Sequence, residues 1–348
     1  MLLWIEGFDN FGTSNGAAPS PVGVVARKYP LVGYENLMDV EAGRLGGHAL
    51  QLVYDSTCYL SPGPLTINAT MIVGCALKWG AWVANTNRFL AFYDGTTLGM
   101  NLHITAAGEI AIYLGTSLIA TTSGAGIATG AWFYVEFKVV CNASGSYELR
   151  INGVNKLSNG SVNTKAGTHD YHTTFRLTGT STTDAQDAHF DDLFCLDGSG
   201  AFNNTFLGNM RVVTMRPDEA GASTQFTPDS GDNYARVNEV VCGDDTNYVE
   251  DATSGHKDLY GYAALAGISP AAAIKGIQIN TDCRETDATS FSLITVCKSG
   301  ATESDDAAQA IGSTNYVTRK RILETDPDTA AAWTKDSLDV VQCGIKVG

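Results

Sequence analysis

The alternation of apolar and polar positions gives its clearest signal between residues 132 and 158. Apolar residues occupy every second position from 133 to 139, with mixed residues between them, which predicts a half-buried β-strand. A second alternating run covers 147–151, after a break that contains Asn142 and Gly145. Asn152-Gly153 then suits a two-residue type I′ turn, because both positions tolerate positive φ. Three antiparallel strands are therefore predicted in this segment.

Similar apolar runs recur through roughly the first two hundred residues, about 8 to 12 residues apart, with turn-forming residues between them. This spacing is typical of a β-sandwich. The nearly continuous apolar run 70–79 predicts a central strand covered on both faces. Further strands are predicted at 2–8, 89–93, 100–105, 109–114, 118–120, 171–178, 188–197 and 209–215.

The chain of 348 residues is long enough for two domains. A segment containing Pro, Gly and Asp predicts a connector at 216–236, between a first domain at 1–215 and a smaller, mainly β domain at 237–348 that serves docking or oligomerisation. Its predicted strands are 258–264, 273–280, 290–297, 316–323 and 340–347. A helical turn is predicted at 328–333, with Asp328 as its cap.

The charge balance argues against nucleic acid as a partner. Thirty-seven acidic and 22 basic residues give a net charge of −15, which disfavours contact with phosphate backbones. The one basic run, Arg319-Lys320-Arg321, is interpreted as a solvated strand edge. The N-terminus lacks the basic and apolar regions of a signal peptide. No apolar stretch reaches the ~18 residues of a membrane helix, so no membrane insertion is expected.

The eight cysteines and six histidines give little sign of a metal centre. No CxxC pair occurs, so a zinc knuckle is not expected, and several cysteines lie in apolar strands, where we expect reduced thiols. His169 and His172 are interpreted as part of a polar turn entering a strand. For calcium, the best candidates are Asp191, Asp192 and Asp197, with acidic surface turns as the alternative; no other cofactor is expected.

Catalytic signatures are also missing from the sequence. No strand carries carboxylates on alternate positions, as sandwich-fold glycosidases do, and GxSxG, HExxH and P-loop motifs are lacking. We therefore expect no enzymatic activity. Trp79, Trp82 and Tyr93 could form a platform for sugar rings, although packing in the core or at its rim is the alternative interpretation.

Two sets of residues resemble known proteins. The segment 132–154, followed by His-Phe-Asp-Asp-Leu-Phe-Cys-Leu-Asp at 189–197, resembles concanavalin A-like, laminin G-like jelly rolls. The segments Asn-Thr-Phe-Leu-Gly-Asn-Met-Arg-Val at 204–212 and Arg-Pro-Asp-Glu-Ala-Gly at 216–221 resemble structural proteins of tailed bacteriophages. The resemblance implies an all-β fold: a concanavalin A-like β-sandwich jelly roll followed by a smaller β-sandwich-like domain.

The phage resemblance also implies a function. It suggests a non-enzymatic component of the virion, such as a tail, tail-tip, fibre or capsid-surface decoration protein, made in the host bacterial cytoplasm. Its expected partners are other virion proteins and further copies of itself, with a trimer favoured. The alternative is an adhesin that binds a host-surface glycan, and a third candidate is a polysaccharide hydrolase.

Overall fold

The structure is a computed structural model that describes most of the chain. The described residues are 1–12, 21–33, 38–52, 58–65, 68–80, 87–179, 187–286 and 290–348. The chain divides into two compact units, Met1–Val212 and Val213–Gly348. Among the described residues, no helix is both long and apolar enough to cross a membrane.

Where the first unit is described, it has one short helix, α1, at Pro21–Lys28. Its strands are β1 Leu2–Glu6, β2 Leu31–Gly33, β3 Met38–Ala42, β4 His48–Leu52, β5 Tyr59–Ser61, β6 Thr70–Trp79, β7 Asn87–Asp94, β8 Thr97–Ile104, β9 Ile110–Leu114, β10 Ser117–Thr121, β11 Trp132–Val140, β12 Gly145–Ile151, β13 Val154–Val162, β14 Thr174–Thr178 and β15 Ala188–Leu196.

These strands form two antiparallel sheets. Sheet A has the order β13-β12-β11-β6-β15-β4-β3, with β1 also paired to β15, and sheet B has the order β10-β9-β8-β7-β14-β5-β2. Aromatic rings of the two sheets pack against each other in the core. The ring centroids of Trp79 and Phe89 are 6.3 Å apart, and those of Phe137 and Phe92 are 5.5 Å apart. The predicted all-β jelly-roll sandwich is confirmed.

The hairpins predicted between residues 132 and 158 are present. Strand β11 pairs with β12, and β12 pairs with β13, all antiparallel. Asn152 and Gly153 have φ values of 51° and 79°, as a type I′ turn requires. Burial alternates along β12, but in β11 it does not, because Tyr134 and Glu136 on the other face are buried as well. The central strand predicted at 70–79 is β6.

The β7–β8 ladder contains two β-bulges. One lies between Arg88 and Leu90, and the other between Ala91 and Tyr93. At each bulge, one strand contributes an extra residue. Neighbouring residues of one strand therefore face the core together, as Phe89 and Leu90 do.

The strand predicted at 209–215 is wrong. This segment has no strand, and its residues 209–212 lie on the outer side of sheet A. The Gly208 amide donates to Glu136 Oε1 at 2.8 Å, and the Val212 amide donates to Asp192 Oδ1 at 2.7 Å. The longer segment 197–212 covers polar groups on sheet A, and the carboxylates of Glu136 and Asp192 are buried beneath it.

The second unit is also mainly β. Its strands are β16 Pro217–Thr224, β17 Thr227–Pro228, β18 Val249–Glu250, β19 Lys257–Tyr262, β20 Ile277–Cys283, β21 Ser292–Ser299, β22 Thr302–Asp305, β23 Gln309–Ala310, β24 Val317–Leu323 and β25 Gln342–Val347. It also contains a short helix, α2, at Lys335–Leu338, and 3₁₀ turns at Asn233–Arg236 and Asp244–Thr246.

Six of these strands form one sheet, in the order β16-β19-β25-β21-β22 with β23 paired to β21. The ribbon β20–β24 packs Ile277 and Leu323 against the apolar cluster around Trp333. The predicted connector is corrected, because β16 lies within 216–236 and pairs with β19. The helical turn expected at 328–333 is also corrected: helix α2 begins later, with Thr334 as its N-cap.

Candidate functional site

The outer face of sheet B presents a set of aromatic and polar side chains. Phe89 and Phe92 of β7 point into the core, so strand alternation and the two bulges direct Arg88, Ala91 and Tyr93 outward. Ladder pairing extends this surface onto the neighbouring strands. We call it the sheet B face, and its residues are Tyr59, Ser61, Arg88, Ala91, Tyr93, Leu98, Asn101, His103, Ala111, Tyr113, Thr174, Arg176 and Thr178.

Arg176 lies at the centre of the sheet B face, on β14 opposite Ala91. Its guanidinium carbon is 4.2 Å from the ring centroid of Tyr59 and 4.2 Å from that of Tyr93. Cation–π attraction at this distance holds the guanidinium between the two rings. The cation–π contacts leave the Nη atoms of the guanidinium able to donate hydrogen bonds to a carboxylate.

A hydrogen-bonded cluster lies beside Arg176, on β8 and β9. The Asn101 amide nitrogen donates to the carbonyls of Gly99 and Gly115, at 2.9 and 3.0 Å. The Asn101 amide oxygen is therefore fixed as an acceptor, and it lies 2.7 Å from His103 Nε2. The His103 ring lies 4.4 Å from the ring of Tyr113. The cluster holds a half-exposed phenol that can donate or accept a hydrogen bond.

Two positive charges on the sheet B face have no carboxylate partner in the described part of the chain. Arg88 and Arg176 are both half-buried, and neither guanidinium forms an ion pair or hydrogen bond with any residue that the structure describes. The Nε atom of each guanidinium is shielded from solvent. No side chain of the sheet B face is acidic. Other arginines of this acidic chain do have carboxylate partners, namely Arg44, Arg150, Arg236 and Arg284.

The three residues predicted to form a sugar platform do not lie together in the structure that is described. Tyr93 belongs to the sheet B face, where it contacts Arg176. Trp79 is fully buried and packs edge-on against Phe89 in the core, so its indole cannot stack on a sugar, and its place in the platform is corrected. Trp82 lies outside the described residues.

The predicted calcium ligands bind groups of the protein itself. Asp191 accepts a hydrogen bond from the Arg44 amide at 2.8 Å, and Asp192 pairs with the Arg44 guanidinium at 2.9 Å. Burial and the Asp192 charge raise the pKa of Asp191 to about 7. Asp197 instead binds the Met1 amino group at 2.9 Å. Asp191 and Asp192 therefore contact Arg44, whereas Asp197 contacts the N-terminal amino group.

No group of three or more His, Cys, Asp or Glu side chains is placed to hold a metal ion among the residues that the structure describes. Calcium binding stays a prediction. His169 and His172 also lie apart: His169 Nδ1 is 2.7 Å from Asp94 Oδ1, whereas His172 is buried against Phe92. All eight cysteines are free thiols.

Comparisons with known proteins reveal likeness in structure alone. Neither a protein-family model nor a curated protein matches the sequence. An endo-β-1,4-glucuronan lyase from the fungus Trichoderma reesei is 11% identical, with a TM-score of 0.41 over 56% of this chain and 95% of that chain. Alginate lyase Aly36B is 12% identical, with a TM-score of 0.40 over 55% and 95% of the two chains. The binding domain of Paraclostridial Mosquitocidal Protein 1 is 10% identical, with a TM-score of 0.41 over 56% and 48%.

These findings correct two expectations. The predicted non-enzymatic virion role is wrong, because the similar structures are polysaccharide lyases and binding domains rather than virion proteins. The expectation that the chain is not an enzyme is corrected on the same finding. At this level of likeness, no functional residue transfers to this chain. The resemblance to phage proteins, the expected virion location and the expected oligomer stay predictions.

The residues that sequence reasoning missed are Tyr59, Arg88, His103, Tyr113 and Arg176. A usable signal was present, because an arginine in the middle of a short apolar strand, as in Thr-Phe-Arg-Leu-Thr at 174–178, either needs a partner or faces a ligand. The sequence did not predict that these residues lie together on one face, because β5, β8 and β14 become neighbours only through long-range strand pairing.

Proposed function

We propose that the sheet B face binds an acidic polysaccharide. The observation that carries the proposal is the pair of half-buried arginines, Arg88 and Arg176, which have no carboxylate partner among the described residues. Two partly buried guanidinium groups, each with a shielded Nε atom and no counter-charge among the described residues, carry a desolvation cost. An anionic ligand supplies the missing charge, and a uronic acid presents a carboxylate that fits the planar edge of a guanidinium.

The neighbouring side chains suit a sugar chain. The half-buried Tyr59 and Tyr113 combine an apolar ring with a hydroxyl, as a pyranose with one apolar face and equatorial hydroxyls requires, whereas Tyr93 is 7% exposed and supports Arg176 from below. Sheet B has seven strands, and each strand adds about 4.8 Å to its width, so the half-buried side chains on this face are spread over a distance of several sugar units. The opposite outer face, on sheet A, is covered by the segment 197–212.

The proposal is tested by measuring binding of the full chain to a panel of polysaccharides by affinity electrophoresis and calorimetry. Alginate, polyglucuronate and hyaluronan provide carboxylates, and dextran is the neutral control. We expect binding to one or more of the acidic polymers and none to dextran. Raising the salt concentration weakens the binding, because both partners are charged.

Two variants locate the binding site. Arg176→Ala lowers the affinity about 10-fold or more, since a charge-assisted hydrogen-bonded pair is lost. Lys156→Ala on edge strand β13 of sheet A removes the same formal charge and leaves the affinity unchanged. Equal binding to dextran and the acidic polymers, or equal losses in the two variants, contradicts the proposal. Ultraviolet absorbance of an unsaturated product in the same mixtures reports whether bound polymer is cleaved.

A further inference from the structure

Two cysteines of the second unit lie directly opposite each other on neighbouring strands. Cys297 of β21 pairs with Cys343 of β25 in the antiparallel ladder, and their sulfur atoms are 4.0 Å apart. Both side chains are buried, at 0% and 4% exposure. The two strands are neighbours inside the six-stranded sheet, between β19 and β22.

Backbone geometry at this position already suits a covalent link. Opposed residues of an antiparallel ladder have Cα atoms about 4.5 to 5.5 Å apart, within the ~4.4 to 6.8 Å that disulfides span. The sulfur atoms need to approach by about 2 Å to reach bonding distance. Side-chain rotation at the two Cβ atoms achieves much of this approach without separating the strands.

The surroundings favour a thiolate at Cys297. The Cys343 thiol donates a hydrogen bond to the Cys297 sulfur, and this bond, opposed by burial and helped by the charge of Arg321, lowers the pKa of Cys297. Arg321 is held in place by hydrogen bonds to the carbonyl of Thr295, at 3.0 Å, and to the hydroxyl of Ser304, at 2.7 Å. A thiolate is the form of cysteine that attacks oxidants.

The other cysteines differ from this pair. Burial raises the pKa of Cys75 to about 12 and is the largest cause that raises the pKa of Cys283 to about 11. Cys242 is exposed, and its sulfur lies 3.0 Å from Asp282 Oδ2. Cys242 provides a surface thiol whose oxidation is independent of the buried pair.

We infer that Cys297 and Cys343 form a site of reversible oxidation, at which a peroxide converts the two thiols into a cross-strand disulfide. The Cys297 thiolate attacks one oxygen of hydrogen peroxide, breaks the O–O bond and becomes a sulfenic acid, and the released hydroxide takes up a proton to form water. The Cys343 sulfur then attacks the Cys297 sulfur, forms the S–S bond and expels hydroxide, which takes the Cys343 proton to form a second water. Peroxide gains two electrons and the thiols lose two. Hydrogen peroxide is small enough to reach a buried pair through local opening of the sheet.

The experiment uses the full chain with Cys242→Ser, so that links between molecules do not interfere. The protein is treated with hydrogen peroxide, alkylated, digested with trypsin and analysed by mass spectrometry without reduction. We expect peptide 285–298 joined to peptide 336–346, with the loss of two hydrogen atoms. Dithiothreitol releases the two peptides. The oxidised protein also melts several degrees higher, because the link restricts the unfolded chain.

Cys343→Ala is the informative variant. It leaves Cys297 without a resolving partner, so the same treatment gives sulfenic or sulfinic acid at Cys297, and the rise in melting temperature disappears. Cys75→Ala, which removes a lone buried thiol, keeps both the link and the rise. If peroxide oxidises Cys242 in the natural chain while 297 and 343 stay reduced, or if Cys297 links to another cysteine, the inference is wrong.

Discussion

The buried His172 side chain makes the stability of the first unit depend on pH. It is 2% exposed, its ring lies 5.4 Å from that of Phe92, and neither ring nitrogen has a hydrogen-bond partner among the described residues. A Cβ atom at Gly99 would lie 2.7 Å from His172 Nε2, so the site has no room for a water there. Burial, partly offset by the charge of Asp94, lowers the pKa of His172 to about 4.

The size of the effect follows from this lowered pKa. In the unfolded chain His172 takes up a proton below a pKa of about 6.5, whereas in the folded chain it stays neutral down to about 4. The contribution that neutral, buried His172 makes to the free energy of unfolding is therefore fully present above about pH 6.5. This contribution is lost as the pH falls from 6.5 towards 4. At pH 5 the loss is about 2 kcal/mol, and it approaches about 3.4 kcal/mol below pH 4.

The assay is urea unfolding of the full chain between pH 7.5 and pH 5, followed by tryptophan fluorescence. Four of the five tryptophans belong to the first unit. His172→Leu removes the titrating group, so we expect its loss of stability between pH 7.5 and 5 to be about 2 kcal/mol smaller than that of the natural chain. Other groups that titrate in this range, such as Asp191, remain in both proteins and cancel in the difference.

His256→Leu serves as the matched control, since it removes a half-buried histidine of the second unit. It should keep the pH dependence of the first unit. If His172→Leu and the natural chain lose stability in parallel as the pH falls, then His172 is hydrated or hydrogen-bonded in solution, and the reasoning from burial fails.

Three further predictions concern stability and binding. Arg44→Ala leaves the buried Asp192 carboxylate unpaired, so we expect a loss of about 3 kcal/mol in urea unfolding at neutral pH; a loss below about 1 kcal/mol would contradict this. Gly74→Ala places a methyl group against the Phe194 ring and should cost about 1 to 3 kcal/mol in the same assay, unless the ring moves freely. Tyr59→Ala removes one of the two rings that hold Arg176 and should weaken binding of an acidic polysaccharide about 2- to 5-fold, whereas Tyr59→Phe should not.

Much of the fold was predictable because local patterns carry it. The strands 70–79 and 132–140 alternate or run apolar over enough residues to fix both their type and their length. The turn at Asn152-Gly153 follows from backbone sterics alone. In each case, neighbouring residues contain the whole signal.

The errors came from contacts between distant segments. The apolar residues of 209–215 resemble a strand, but Val212 contacts sheet A and Met215 packs in the second unit, which a local pattern cannot show. An indole such as that of Trp79 packs in a core as readily as on a sugar, so its type did not reveal its burial. The sheet B face depends on the pairing of β14 with both β5 and β7, and its unpartnered charges become visible only once those neighbours are known.

The two bulges in the β7–β8 ladder determine which side chains reach a ligand. The bulge between Arg88 and Leu90 adds one residue to β7, so Arg88 and Tyr93 both point outward although they are five positions apart, whereas the second bulge adds its residue to β8. Without a bulge, two side chains on one face of a strand are an even number of positions apart. Related chains that use the same surface should therefore keep either this odd spacing together with the bulge, or an even spacing without it.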